Sequence, residues 1–218
     1  MKVAIDGPSG VGKSTLAKAI ANEFNLIYLD TGAMYRMIGL YFLENNLDYE
    51  CKEEVIKNLR NIHIDLVIDN GIKLLLNGRD VESLIRTHEV AGISSILAQQ
   101  KEVREKLTAL QKDIASKYNV VMDGRDIASN IIPDADVKLY LEADAIVRTK
   151  RRMKELEIPS KEFDFIYNKI LERDKQDLNR EFDPLCIVQD AIVVNTDNMN
   201  FEQVKQKVFE IIKSKIAG

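Results

Sequence analysis

The sequence predicts an α/β fold, a central parallel sheet flanked by helices with a small antiparallel insertion and a short lid, on three observations. The apolar run Lys2–Asp6 ends abruptly in a glycine-rich turn that leads straight into a helical pattern. Further short β-rich runs at Leu26–Leu29, Val120–Met122, Val137–Leu141 and Ile192–Val194 alternate with longer segments whose apolar residues recur every three or four positions. One stretch, residues 61–86, breaks that rhythm. It carries strand-like runs at His63–Ile68 and Ile72–Leu76 around Asp69-Asn70-Gly71, whose Asn-Gly pair suits a tight hairpin, and a second Asn-Gly at Asn77-Gly78.

The helical segments follow from spacing. After the first turn, Leu16, Ala19, Ile20 and Phe24 share one face of a helix from Thr15 to Phe24. Asp30 or Thr31 can cap a helix through Met34, Ile38 and Leu43. Two helices follow the insertion, Val90–Leu97 and Glu102–Lys117, and the chain then returns to the sheet. Ala145–Leu156 reads as a very basic helix, Phe163–Arg180 as a charged one and Phe201–Ile216 as the last. Between the first two of these, Pro159 interrupts helical spacing and marks an exposed connection, so that residues 148–162 can act as a hinged lid.

With 218 residues the chain suits one α/β domain, residues 1–218, with modest insertions. A net charge of -4 gives no global reason to expect a nucleic-acid polymer or an acidic membrane as partner, so any polyanion site must be built from local arginines and lysines. Cys51 and Cys186 lie far apart without metal-ligand spacing, which fits a reducing compartment. The first motif follows Met1 too closely for a targeting segment, and no apolar run approaches membrane-spanning length. The expectation is a cytoplasmic, monomeric protein.

Gly7-Pro8-Ser9-Gly10-Val11-Gly12-Lys13-Ser14 matches the phosphate-binding pattern G-x-x-x-x-G-K-[ST], with Thr15 next in line. Leaving a strand and entering a helix, such a loop turns backbone N–H groups and a helix N-terminus toward an anion. Lys13 adds positive charge near the β and γ phosphates of ATP, and Ser14 can offer its hydroxyl to Mg2+. The guanine-reading N-K-x-D motif is absent, since Asn195-Thr196-Asp197-Asn198 lacks the lysine. A kinase acting on a nucleotide or another small molecule leads among the classes that use this loop.

A phosphoryl transferase needs cations beyond that lysine to spread negative charge in the transition state. Arg148, Lys150, Arg151 and Arg152 lie on the basic helix beside the Pro159 turn, with Arg148 and Arg152 four residues apart. Arg173, Asp177 and Arg180 repeat at intervals of four and three, which puts them on one helix face; an exposed salt-bridge ladder is the alternative for this segment. Asp123-Gly124-Arg125-Asp126 follows a buried strand at its C-terminal end, where open α/β sheets bind ligands.

Taken in order, IDGPSGVGKST, LDTGAMYR, the DGRD loop with PDA shortly after, RTKRR, and ERDKQDLNR followed by Pro184-Leu185 resemble the bacterial-type cytidylate kinase family of nucleoside monophosphate kinases, nearly from end to end. The resemblance implies transfer from ATP, with Mg2+, to CMP or dCMP, in pyrimidine nucleotide metabolism. It implies that Lys13, Arg125, Arg148 and Arg152 serve catalysis. Thr31, Arg36, Arg125 and Arg180 would hold the acceptor phosphate, Arg173 and Asp177 would face the sugar, and Ser95, Arg104 and Asp126 would read the base. A carboxylate can accept from the N4 amino group of cytosine where uracil presents an oxygen, and a mismatched buried group costs ~1 to 3 kcal/mol, ~10- to 100-fold in selectivity. Two departures stand out: Ile127-Ala128 follows the Arg-Asp pair where the family commonly has Gly-Thr, and Gln176 and Leu178 stand where related sequences often carry arginine. A kinase for UMP, another monophosphate or a small metabolite, and a nucleotide sensor without turnover, remain the rival readings. His63 and His88 are expected to be structural or surface residues, because in-line attack by a phosphate oxygen calls for no histidine.

Overall fold

The computed structural model describes residues 1–68 and 72–217, and its chain divides into two compact units, Met1–Leu29 with Lys117–Gly218, and Asp30–Ser116. In chain order the elements are β1 (Lys2–Asp6), α1 (Lys13–Phe24), β2 (Ile27–Asp30), α2 (Thr31–Glu44), α3 (Lys52–Leu59), β3 (Ile64–Ile68), β4 (Ile72–Leu76), β5 (Arg79–Asp80), α4 (His88–Leu97), α5 (Lys101–Lys117), β6 (Val120–Gly124), β7 (Val137–Glu142), α6 (Ala145–Glu155), α7 (Phe163–Asn179), β8 (Ile192–Asn195) and α8 (Phe201–Ala217).

The first unit is built on a five-stranded sheet in the order β2-β6-β1-β7-β8. β1 runs parallel to β6 on one side, Ile5 opposite Asp123, and to β7 on the other, Ile5 opposite Leu139. β8 extends the sheet parallel to β7. β1 is apolar on both faces because both are covered, and Val3, Ala4 and Ile5 are fully buried. Val3 and Ile5 join Leu16, Ala17 and Ile20 of α1 and Val204, Val208 and Ile212 of α8 in one core. The strand stops where the loop must pass close to β7: a Cβ on Gly7 would lie 2.3 Å from the Leu141 carbonyl oxygen. Only glycine fits there.

The second unit carries the insertion, a three-stranded antiparallel sheet in the order β3-β4-β5. β3 pairs with β4 in register, Ile64 opposite Leu76 and Leu66 opposite Leu74. The expected Asp69-Asn70-Gly71 turn lies outside the described residues. The Asn77-Gly78 pair takes positive φ at both positions, 48° and 77°, and turns the chain into β5. This is the hairpin geometry that Asn-Gly favours. β5 itself is too short and polar for its sequence to announce. Asp30 caps α2, accepting the Ala33 N–H at 2.8 Å.

The loop after β6 also forms a turn the sequence does not announce. Ile127–Ile131 makes a single π-type turn, in which the Ile131 N–H reaches the Asp126 carbonyl and the Ile132 N–H the Ile127 carbonyl, at 3.2 and 2.8 Å. Such turns recur at functional sites. Its free N–H groups find a partner: Asp6, at the end of β1, accepts Ile127 N–H at 2.9 Å and Ala128 N–H at 2.8 Å. Burial drives the Asp6 carboxyl up from its ordinary value to about 6 against the pull of those two N–H groups and of Lys13.

Candidate active site

Within the first unit the loop Gly7–Ser14 curls at the C-terminal end of β1 and delivers Lys13 and Ser14 as the first residues of α1. The Lys13 ammonium folds back onto the loop and donates to the carbonyls of Gly7 and Pro8, both at 2.8 Å. It is buried, and burial together with the nearby Arg125 charge pushes its pKa well below the usual lysine value. A polyphosphate would supply the anion that reverses this. The Ser14 hydroxyl donates to Asp123 Oδ2 at 2.9 Å, while the Tyr28 hydroxyl donates to Asp123 Oδ1 at 2.8 Å. The end of β6 therefore sets a buried carboxylate beside the phosphate-loop serine.

Three of the arginines singled out from the sequence stand nearly buried in this unit, each on a carboxylate. Arg125 Nε lies 2.6 Å from Asp177 Oδ2, and Arg180 Nη2 lies 2.9 Å from Asp126 Oδ1. Arg148 Nη1 lies 2.6 Å from Asp174 Oδ2. Arg180 also donates from Nε to the Asp183 carbonyl at 2.6 Å, and the Asn130 side-chain amide donates to Asp126 at 3.2 Å. Burial works against the Asp177 carboxylate, but the charge and hydrogen bond of Arg125, with help from Arg173 and Arg180, hold it below its ordinary range. Arg173 and Asp177, four residues apart, share a face of α7, whereas Arg180 lies just beyond the helix in extended backbone and not on the predicted three-residue face.

Arg148 and Arg152 diverge despite their shared spacing. Arg148 is almost inaccessible and donates to the carbonyls of Ser9 and Ala143, each at 2.9 Å. Arg152 is 41% exposed and only reaches Glu155 at 3.5 Å. The open connection after α6 closes over a small apolar cluster of Met153, Ile166 and Ile170. Glu157 there takes a positive φ of 53°.

The second unit holds the remaining residues that the resemblance assigns to the acceptor. Thr31 is buried at the start of α2, five residues before Arg36, whose guanidinium lies 2.9 Å from Asp30 Oδ2. Arg104 is 2% exposed, donates to the Ala98 carbonyl at 3.4 Å and places its guanidinium 5.8 Å from the Tyr35 ring centre. A buried arginine on α5 is costly for the fold alone. Ser95 lies on α4, half-buried, on the helix that α2 meets through Gly39, where a Cβ would sit 3.1 Å from the Val90 carbonyl oxygen.

A family model described as cytidylate kinase matches residues 3–214 of the chain. The chain belongs to the cytidylate kinase family. A cytidylate kinase of Carboxydothermus hydrogenoformans is 44% identical over 218 residues, 99% of this chain and 98% of that one. Another, from Ureaplasma urealyticum, is 42% identical over 221 residues, covering 99% and 97% of the two chains. Among solved structures, a shikimate kinase from Bacteroides thetaiotaomicron overlays with a TM-score of 0.52 at 15% identity, covering 98% of each chain. That likeness shows the shared phosphate-loop kinase fold.

Against this cytidylate kinase background, both sequence departures acquire a place. Ile127 and Ala128 are buried in the π-type turn and give their N–H groups to Asp6, so the loop is built on backbone donors. Gln176 and Leu178 are both exposed on α7, and Gln176, two residues after buried Asp174, lies on the opposite side of the helix. Sequence reasoning gave no site role to Asp6, Tyr28 or Asp174, and saw Asp30 only as a cap and Asp123 only as part of its loop. For Asp6 and Asp123 a signal existed: each is a carboxylate closing an otherwise apolar buried strand.

Proposed function

We propose that the protein transfers the γ-phosphoryl group of ATP to CMP or dCMP, giving ADP and CDP or dCDP. The observation that carries this reading is the buried Lys13 of the phosphate loop in one unit with arginines oriented by carboxylates, in a chain of the cytidylate kinase family. The loop N–H groups from Gly10 to Thr15 bind the donor phosphates, and Lys13 swings from its two carbonyls onto the β and γ oxygens. Arg148 and the exposed Arg152 serve the donor side, with residues 148–162 as the lid that excludes water.

Ser14 and Asp123 offer adjacent hard oxygens, and among the described residues no group of three or more His, Cys, Asp or Glu side chains could hold a metal ion. The adjacent Ser14 and Asp123 oxygens suit Mg2+, which keeps few protein ligands and relies on substrate phosphates. When bound it neutralises charge on the donor phosphates.

In the first unit Arg125 and Arg180 are assigned to the acceptor phosphate, Arg173 and Asp177 to the sugar and Asp126 to the base; in the second, Thr31 and Arg36 are assigned to the phosphate and Ser95 and Arg104 to the base. Asp126, held ready by Arg180 and Asn130, accepts from the N4 amino group of cytosine. The acceptor phosphate oxygen is already anionic, so orientation and charge stabilisation do the catalytic work and no general base is required. A monomer in the cytoplasm is part of the proposed reading. A coupled ADP-release assay across CMP, dCMP, UMP and AMP tests this. CMP or dCMP should give the highest kcat/KM. A CMP value below that of UMP or AMP would sink the substrate assignment, and ATP binding without turnover on any monophosphate would favour a sensor.

A further inference from the structure

Asp174 has no part in the donor or acceptor contacts above, yet it is buried in the middle of α7. Its two oxygens have different partners. Oδ1 accepts the Ser9 N–H at 3.1 Å, and Oδ2 stands 2.6 Å from Arg148 Nη1. The same Arg148 nitrogen donates to the Ser9 carbonyl at 2.9 Å, and Arg148 Nε is tied to the Ala143 carbonyl. The N–H and the C=O of one phosphate-loop residue are thus both gripped by a single ion pair, one member on α7 and the other on α6. Arg148 also runs along the next residue, its Cβ 3.6 Å from where a Cβ on Gly10 would stand.

A buried ion pair adds little to fold stability compared with apolar side chains of the same size. Its use here is geometric. A loop that binds polyphosphate through backbone N–H groups gains affinity when those groups are fixed before the ligand arrives. Asp177, one turn further along α7, orients Arg125 in the same way.

We propose that Asp174 is a positioning residue of the donor site, holding Ser9 of the phosphate loop and the Arg148 guanidinium in the arrangement that receives a nucleoside triphosphate. This rests on the kinase reading, which wild-type turnover with CMP tests separately. Asp174→Asn keeps the size and an acceptor for the Ser9 N–H while removing the charge. It should weaken binding of Mg-ATP, measured by calorimetry, by ~10-fold or more, the scale of a lost charge-assisted hydrogen bond. The KM for CMP should move by less than ~3-fold, since the acceptor residues keep their partners. Combining it with Arg148→Met should be no worse than the more damaging single change, because both act through one unit.

Thermal unfolding accompanies each variant. Should Asp174→Asn fail to fold, Asp174→Glu retains the charge on a longer arm and should fold with weakened ATP binding. Unchanged ATP affinity in either folded variant would overturn the proposal. So would equal losses for ATP and CMP that track a falling melting temperature, or failure of both variants to fold, since each assigns the pair to the fold. A wild-type protein that binds ATP but never phosphorylates CMP would instead overturn the kinase reading.

Discussion

The first unit and the insertion of the second use the same charged residue types in opposite ways. In the first, Arg125, Arg148 and Arg180 are nearly buried, and each faces a carboxylate that is also nearly buried. In the insertion, Arg79 pairs with Glu44 and Lys73 with Asp80, with exposed side chains at least on the cationic member. Exposed pairs of this kind contribute ~0 to 1 kcal/mol and hold no fixed direction. The buried ones keep a guanidinium pointing one way in a medium where its charge is felt more strongly. Orientation, more than the number of arginines, separates a phosphate-handling surface from a solvated one.

The comparison can be broken by substitution. Lys13→Ala should lower kcat by ~100- to 1000-fold, the scale of removing one donor to developing charge, with the melting temperature little changed because Lys13 bonds only its own loop. Near-normal turnover would remove Lys13 from the chemistry. Asp177→Ala strands the Arg125 guanidinium and should lower stability by ~3 kcal/mol as well as kcat/KM for CMP, as a chemical denaturation curve and initial rates would show. A stability loss under ~1 kcal/mol would mean the pair behaves like the exposed ones.

Smaller effects sharpen the contrast. Asp126→Asn should reduce the CMP-to-UMP ratio of kcat/KM by ~10-fold, since an amide can serve either base. An unchanged ratio removes Asp126 from base recognition. At the bottom of the scale, Arg79→Ala should alter stability by less than ~1 kcal/mol and leave turnover with CMP unchanged.

Much of this architecture is legible in the sequence because local chemistry dictates it. The strand-loop-helix at Lys2–Phe24 follows from apolar run, glycines and helical spacing, and the Asp30 cap from its place before α2. Arg173 and Asp177 share a face of α7 as their spacing requires, whereas Arg180 falls just past the helix in extended backbone, so its place does not follow from helical geometry. Long-range partners were not legible. Nothing near Asp6 says that its carboxylate, 121 residues away in sequence, will collect the Ile127 N–H and shape the π-type turn. Arg148 and Arg152 look equivalent four residues apart, yet Asp174 buries one of them and not the other. Charge patterns show which residues share a helix face, and only tertiary partners decide which of those charges are oriented.

The most direct test of that distinction is the initial rate of ADP formation from ATP and CMP by Arg125→Lys, measured beside the wild type. Lysine keeps the charge but loses the planar fork that Asp177 aims. A fall in kcat/KM for CMP of ~10-fold or more, with ATP binding retained, is the predicted result. A rate equal to the wild type would show that charge alone suffices, and would contradict the account.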